Sequence, residues 1–277
     1  MKIKNFLLFT AMTLFSLSTM AKTQNIAIDG DHGKLAAVIQ TPDDKADYPM
    51  VIICHGFTAH KNRPLLKALA DKLEKRGIAS IRFDFNGHGD SEGKFVDMTV
   101  VNEISDAKKV YEYVKTLPQV TSISIAGHSQ GGVVSSMVAG ELGENRIKSV
   151  VLMAPAAVLR DDAIRGQIFN KHYDSVNPPE NVPLDLKDHQ DYKLGSSYIK
   201  TAQTLPIYET ARKYSGPVCL VHGKHDIVVP YTYSIRYQEN YKNAELNLIE
   251  TADHSFTKHV EEASEIAAEF FRKELIK

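Results

Sequence analysis

The order of apolar and polar positions divides this chain into stretches of different rhythm. Residues 1–4 carry two lysines, residues 6–17 are apolar apart from Thr10, Thr13 and Ser16, and Thr19-Met20-Ala21 closes the run. This is the pattern of a secretory leader cut after about Ala21. The run falls short of the ~20 residues that cross a bilayer, and no cysteine follows it to carry a lipid. Residues 25–29 and 35–40 then flank Gly30 and Gly33 as a hairpin. From residue 50 onward, continuous apolar runs alternate with segments of helical spacing. Strands are expected at 50–54, 78–83, 122–126, 149–153, 218–221 and 246–249, and helices at 65–76, 100–117, 129–142 and 260–275. Runs that are apolar at every position fit strands buried on both faces. The alternation predicts one domain over 22–277, a mostly parallel sheet with helices on both sides. Residues 155–206 break the rhythm with Pro178-Pro179, Pro183, Gly166, Gly195 and many polar and tyrosine positions. So long a departure inside a compact domain is expected to be functional, and it is read as a small cap inserted over the sheet's C-terminal edge.

Composition narrows the function. A hydrophobic share of 43% supports a sizeable core, and a net charge of −1 without basic runs argues against a nucleic-acid partner. Cys54 and Cys219 each lie in an apolar strand and are expected to stay free, packed as small hydrophobes.

The chemistry concentrates in Gly127-His128-Ser129-Gln130-Gly131, a G-x-S-x-G sequence between an apolar strand and a helix. That context makes Ser129 a nucleophile on a strained turn, with glycines where side chains would collide. A serine hydroxyl needs a base oriented by a carboxylate. The fold that this motif marks runs serine, acid, histidine along the chain. Asp226 and His254 each lie just beyond a strand in that order, with His222, His225 and Asp253 as rivals. The oxyanion donors are expected to be the backbone amides of Gln130 and of Phe57, in the loop after the 50–54 strand. Gly87, Gly89 and Gly93 miss the spacing of a phosphate loop, His222 and His225 have no partner set with metal-ligand spacing, and there is no H-E-x-x-H. No cofactor is implied.

His55-Gly-Phe-Thr-Ala, Arg82-Phe-Asp-Phe-Asn-Gly-His-Gly-Asp-Ser91, the Ser129 motif, Ala154-Pro-Ala-Ala157, Leu205-Pro-Ile-Tyr-Glu209, Pro217-Val-Cys-Leu-Val-His-Gly223 and Ala252-Asp-His254 together closely resemble the bacterial cinnamoyl (feruloyl) esterases. The likeness runs from about Ile26 to the C-terminal helix. It implies an α/β-hydrolase fold with a small cap, and hydrolysis of ferulate, caffeate and p-coumarate esters, free or linked to polysaccharide. It also implies that cap groups grip the phenolic ring, at positions matching Asp162 and Tyr198, with Gln167 near a third. The expectation is therefore an exported serine carboxylesterase, periplasmic or extracellular, without a stable membrane anchor; a homodimer is left open. The alternatives are a lipase or short-acyl esterase, a peptidase or acyltransferase on the same triad, and a non-catalytic binding protein of the same fold.

Overall fold

The computed structural model describes residues 22–43 and 45–276. The leader expected over 1–21 lies outside the described residues. The hairpin forms from β1 (Lys22–Asp29) and β2 (Lys34–Thr41), closed by the Gly30 amide donating to the Gly33 carbonyl at 2.8 Å. Then follow β3 (Tyr48–Cys54), α1 (Pro64–Lys75), β4 (Ala79–Phe83), α2 (Val100–Lys115), β5 (Val120–His128), α3 (Gln130–Leu142) and β6 (Val150–Met153). The segment from Pro155 to Pro206 holds α4 (Val158–Arg165), the hairpin β7 (Gln167–Ile168) with β8 (Lys171–His172), the pair β9 (Asn181–Pro183) and β10 (Lys193–Gly195), and α5 (Ser196–Gln203). The chain returns through α6 (Ile207–Ala211), β11 (Val218–Gly223), α7 (Thr232–Asn240), β12 (Ala244–Ile249) and α8 (Val260–Leu275).

The eight-stranded sheet has the order β1-β2-β4-β3-β5-β6-β11-β12. The β1–β2 and β2–β4 pairs are antiparallel and all others parallel. This is the α/β-hydrolase fold. The apolar runs are explained by the pleat. Met50, Ile52 and Cys54 of β3 face one core with Val110 of α2 and Val134 of α3, while Val51 and Ile53 face a second with Leu69 of α1 and Phe271 of α8. The same alternation sends Val218 and Leu220 of β11 one way and Cys219 and Val221 the other. Both cysteines are free and buried. With β5 and β6 between their strands, their backbones stand about 14 Å apart at ~4.8 Å per strand, twice a disulfide's reach.

The parallel order places the C-terminal ends of β3, β5, β11 and β12 on one edge, where open α/β sheets bind ligands. Helix α7 and the short α6 were not anticipated. The apolar positions of α7 are few, only Ser234 and Tyr237 are buried, and packing against β11 and β12 orders it.

Candidate active site

Ser129 follows β5 and caps α3 with φ 56° and ψ −123°, a left-handed conformation that costs about 1–3 kcal/mol for a non-glycine residue. The surroundings hold it there. A Cβ on Gly127 would stand 2.0 Å from the Gly131 carbonyl oxygen, and one on Gly131 would stand 2.3 Å from that of His55. The glycines of the motif are thus forced by backbone approaching backbone. The turn lifts the Ser129 hydroxyl above the sheet edge at the N-terminus of α3, whose dipole favours negative charge.

His254 and Asp226 come to this hydroxyl from the loops after β12 and β11. Ser129 Oγ lies 2.9 Å from His254 Nε2, and His254 Nδ1 lies 2.7 Å from Asp226 Oδ2. With Nδ1 donating to the carboxylate, Nε2 is the acceptor for the serine proton. Asp226 Oδ1 accepts the amides of Val228 and Val229 at 2.9 and 2.8 Å. Burial pushes the Asp226 carboxyl up, but hydrogen bonds from His222 and His254, the His254 charge and the Val229 amide outweigh it and hold the group well below the carboxylate range.

His222 is not a surface residue. It is fully buried, with Nε2 3.1 Å from Asp226 Oδ2 and 2.9 Å from the Val229 carbonyl. Both partners are acceptors, so Nε2 carries the proton and Nδ1 accepts from the Ser234 hydroxyl at 2.6 Å. The rival acid Asp253 is exposed and accepts the Thr257 amide at 2.7 Å. His128 is half-buried and donates from Nε2 to the His254 carbonyl at 2.8 Å, tying the His254 backbone to the end of β5. Burial, then the His254 charge, pushes His128 down to about 3, so this ring stays neutral.

The loop after β3, expected to supply one oxyanion donor, lies against Ser129. A Cβ on Gly56 would come within 2.9 Å of Ser129 Cβ, and neither the Phe57 nor the Gln130 amide donates to another group among the described residues. The neighbouring Thr58 has φ 56°. The loop is braced by His55, whose Nδ1 donates to the Gly56 carbonyl at 2.8 Å and whose Nε2 accepts the Phe85 amide at 3.0 Å. Burial pushes His55 down to about 3, which keeps its ring neutral for both bonds.

A cavity of about 630 Å³ opens over Ser129. Leu159, Ile168, Phe169 and Val229 supply apolar wall, and Asp162, Gln167 and Tyr198 supply polar groups. Asp162 is half-buried, and burial pushes its carboxyl up. Tyr198 is buried, and its hydroxyl donates to Gln130 Oε1 at 2.7 Å. Gln130 Nε2 in turn donates at 2.8 Å to Glu103, a buried carboxyl whose Oε1 has no partner among the described residues. Burial, only partly opposed by the Gln130 bond, pushes Glu103 well up. Tyr198 is thus joined through Gln130 to Glu103. Sequence reasoning weighed His222 only as a rival and gave no role to His128, His55 or Glu103. His222 and His55 had a signal, since one lies near the C-terminal end of β11 and the other directly follows β3.

Among the described residues no group of three or more His, Cys, Asp or Glu is arranged to hold a metal, and no helix is long and apolar enough to cross a membrane.

The family model described as "Serine aminopeptidase, S33" matches residues 47–178. Est1E from Butyrivibrio proteoclasticus, solved with ferulic acid bound, is 35% identical, with a TM-score of 0.85 over 90% of this chain and 98% of its own. Human ABHD12B is 27% identical over 72% of this chain, and the chain spans about half (51%) of that relative's length. The mitochondrial palmitoyl-protein thioesterase ABHD10 of Bos taurus is 24% identical over 76% of this chain and 68% of its own. With that identity across nearly the whole of Est1E, and with the serine elbow in place, the chain belongs to the serine hydrolases of the α/β-hydrolase superfamily.

Proposed function

We propose that this hydrolase is a carboxylesterase acting on hydroxycinnamate esters, with Ser129, His254 and Asp226 as its catalytic triad. The observation that carries the reading is the unbroken hydrogen-bonded line from Ser129 Oγ through the His254 ring to Asp226, opening into a cavity with polar groups at its cap end. The ferulic acid in Est1E supports the acyl class.

Ser129 Oγ attacks the ester carbonyl carbon as its proton passes to His254 Nε2. Asp226 stabilises the resulting imidazolium, and the Phe57 and Gln130 amides take the oxyanion. Collapse expels the alcohol, which leaves with the proton from His254 Nε2. Water then attacks the acyl-enzyme by the same relay, releasing the acid and restoring Ser129. A cinnamoyl group extending toward the cap brings its ring hydroxyls to Asp162 and Tyr198. The Tyr198 proton is committed to Gln130, so Tyr198 serves as an acceptor, and Asp162 accepts as well.

Apolar wall residues and the thioesterase name of one relative favour a second reading, a short-acyl esterase or thioesterase. Rates on methyl ferulate, p-nitrophenyl butyrate and a long-chain ester separate the two. Methyl ferulate should have the highest kcat/KM, and Ser129→Ala should lower it by about 10⁴ or more. Preference for either aliphatic ester by tenfold would replace the hydroxycinnamate reading. Export is part of the proposal. Its test is the N-terminal residue of the protein recovered from the producing cells' periplasm or medium, expected at about residue 22.

A further inference from the structure

A smaller cavity of about 210 Å³ lies beside the catalytic serine, on the side away from the cap. It shares Gly56, Arg63, His128 and Ser255 with the main cavity and continues to Thr257. Arg63 carries the one formal charge in its lining. The Arg63 main chain is fixed, with its amide on the His60 carbonyl at 3.2 Å and its carbonyl accepting the Leu66 and Lys67 amides at 3.0 Å. Its guanidinium is exposed and has no hydrogen bond or ion pair among the described residues. The carboxylates that open α8 are engaged elsewhere, Glu261 with Lys72 and Glu262 with His259, each at 2.9 Å.

The reaction gives this pocket a direction. The leaving oxygen takes its proton from His254 Nε2, so the alcohol part departs along the His254 side. His128 and Ser255 flank His254 on that side, and the positive charge of Arg63 reaches His128, whose ring it helps keep neutral. Asp162 and Tyr198 stand at the other end, toward the acyl part.

We propose that the Arg63 pocket is a subsite for an anionic alcohol portion, so that the preferred esters carry a carboxylate on the alcohol side. The guanidinium presents a planar fork of donors suited to a carboxylate, and the Ser255 and Thr257 hydroxyls add donors beside it. The subsite rests on the esterase reading above but not on its hydroxycinnamate acyl group.

The test uses the purified protein and two pairs of butyryl esters, those of glycolate and 3-hydroxypropanoate, each against its neutral amide counterpart. Wild type should favour the anionic member by about tenfold in kcat/KM, the worth of one partly solvated charge-assisted contact. Raising salt from 0.05 to 0.5 M, across which screening grows strongly, should shrink that ratio. Arg63→Gln should bring it to about one, and Arg63→Lys should keep part of it. A wild-type ratio at or below one, or a ratio unmoved by Arg63→Gln, overturns the subsite while p-nitrophenyl butyrate hydrolysis leaves the esterase standing. Wild-type protein that hydrolyses no ester overturns both.

Discussion

Asp226→Asn is the sharpest probe of the relay. The carboxylate takes four N–H donors, the Val228 and Val229 amides on Oδ1 and the rings of His254 and His222 on Oδ2. Asparagine has one acceptor oxygen and one NH₂. If the oxygen keeps both backbone amides, the NH₂ confronts two ring N–H groups. His254 escapes by moving its proton to Nε2, and in that tautomer it cannot take the Ser129 proton. His222 has no such escape, because its Nε2 also faces the Val229 carbonyl at 2.9 Å. The lost tautomer should lower kcat by about 10³–10⁴. One stranded buried donor costs about 1–3 kcal/mol, or roughly 2–12 °C in Tm for a domain of this size. Hydrolysis of p-nitrophenyl butyrate and a thermal melt on the same preparation read both effects. A folded Asp226→Asn protein within tenfold of wild type would refute the assignment. Asp253→Asn should stay within about twofold, since that exposed carboxylate serves the Thr257 amide. A collapse of activity there would move the acid to Asp253.

Asp162→Ala should lower kcat/KM on methyl caffeate and methyl ferulate by about 3- to 30-fold and spare p-nitrophenyl acetate; equal losses on both would make Asp162 a cap-stabilising residue. Tyr198→Phe should reduce both substrate types, because it also strands Gln130 Oε1, and a purely ferulate-selective loss would contradict that coupling. Stability should fall as pH drops below about 6.5, where unfolded histidine takes up a proton that His55, His88 and His128, each pushed down to about 3 chiefly by desolvation, refuse. Each contributes up to ~1.4 kcal/mol per pH unit below that point. Asp106, pushed by burial to about 6, acts oppositely between about pH 4 and 6, since there the native state holds the extra proton, and Glu103, also raised by burial, acts in the same direction. Glu103→Gln should therefore steepen the acid loss of Tm, and a shallower profile would argue against a raised Glu103.

Much of the site was legible because its determinants are local. The apolar runs specify strands buried on both faces, and the glycines at 127 and 131 signal a turn that admits no side chain. Ser129, Asp226 and His254 each follow a strand, so a parallel sheet brings them to one edge whatever the details of packing. Boundaries were less legible. β5 runs from Val120 to His128 rather than over 122–126, because ladder bonds to β3 and β6 extend it through polar and glycine positions. The cap's hairpins were invisible, being two or three residues long and held by α4, α5 and the 3-10 turn at Phe95–Asp97 rather than by their own pattern.

What the sequence by itself determined was the fold class and which residues sit at the strand ends, since both follow from short-range periodicity and steric need. Only the tertiary structure decided the partners. His222 meets Ser234 and Asp226, Tyr198 reaches Glu103 through Gln130, and Arg63 lines the same cavity as His254 with no carboxylate partner among the described residues. The hydrogen bonds among these run through buried ground and join residues from 4 to 68 positions apart. Such bonds exist only when the packed elements bring a donor and an acceptor within about 3 Å, and no spacing along the sequence encodes that distance.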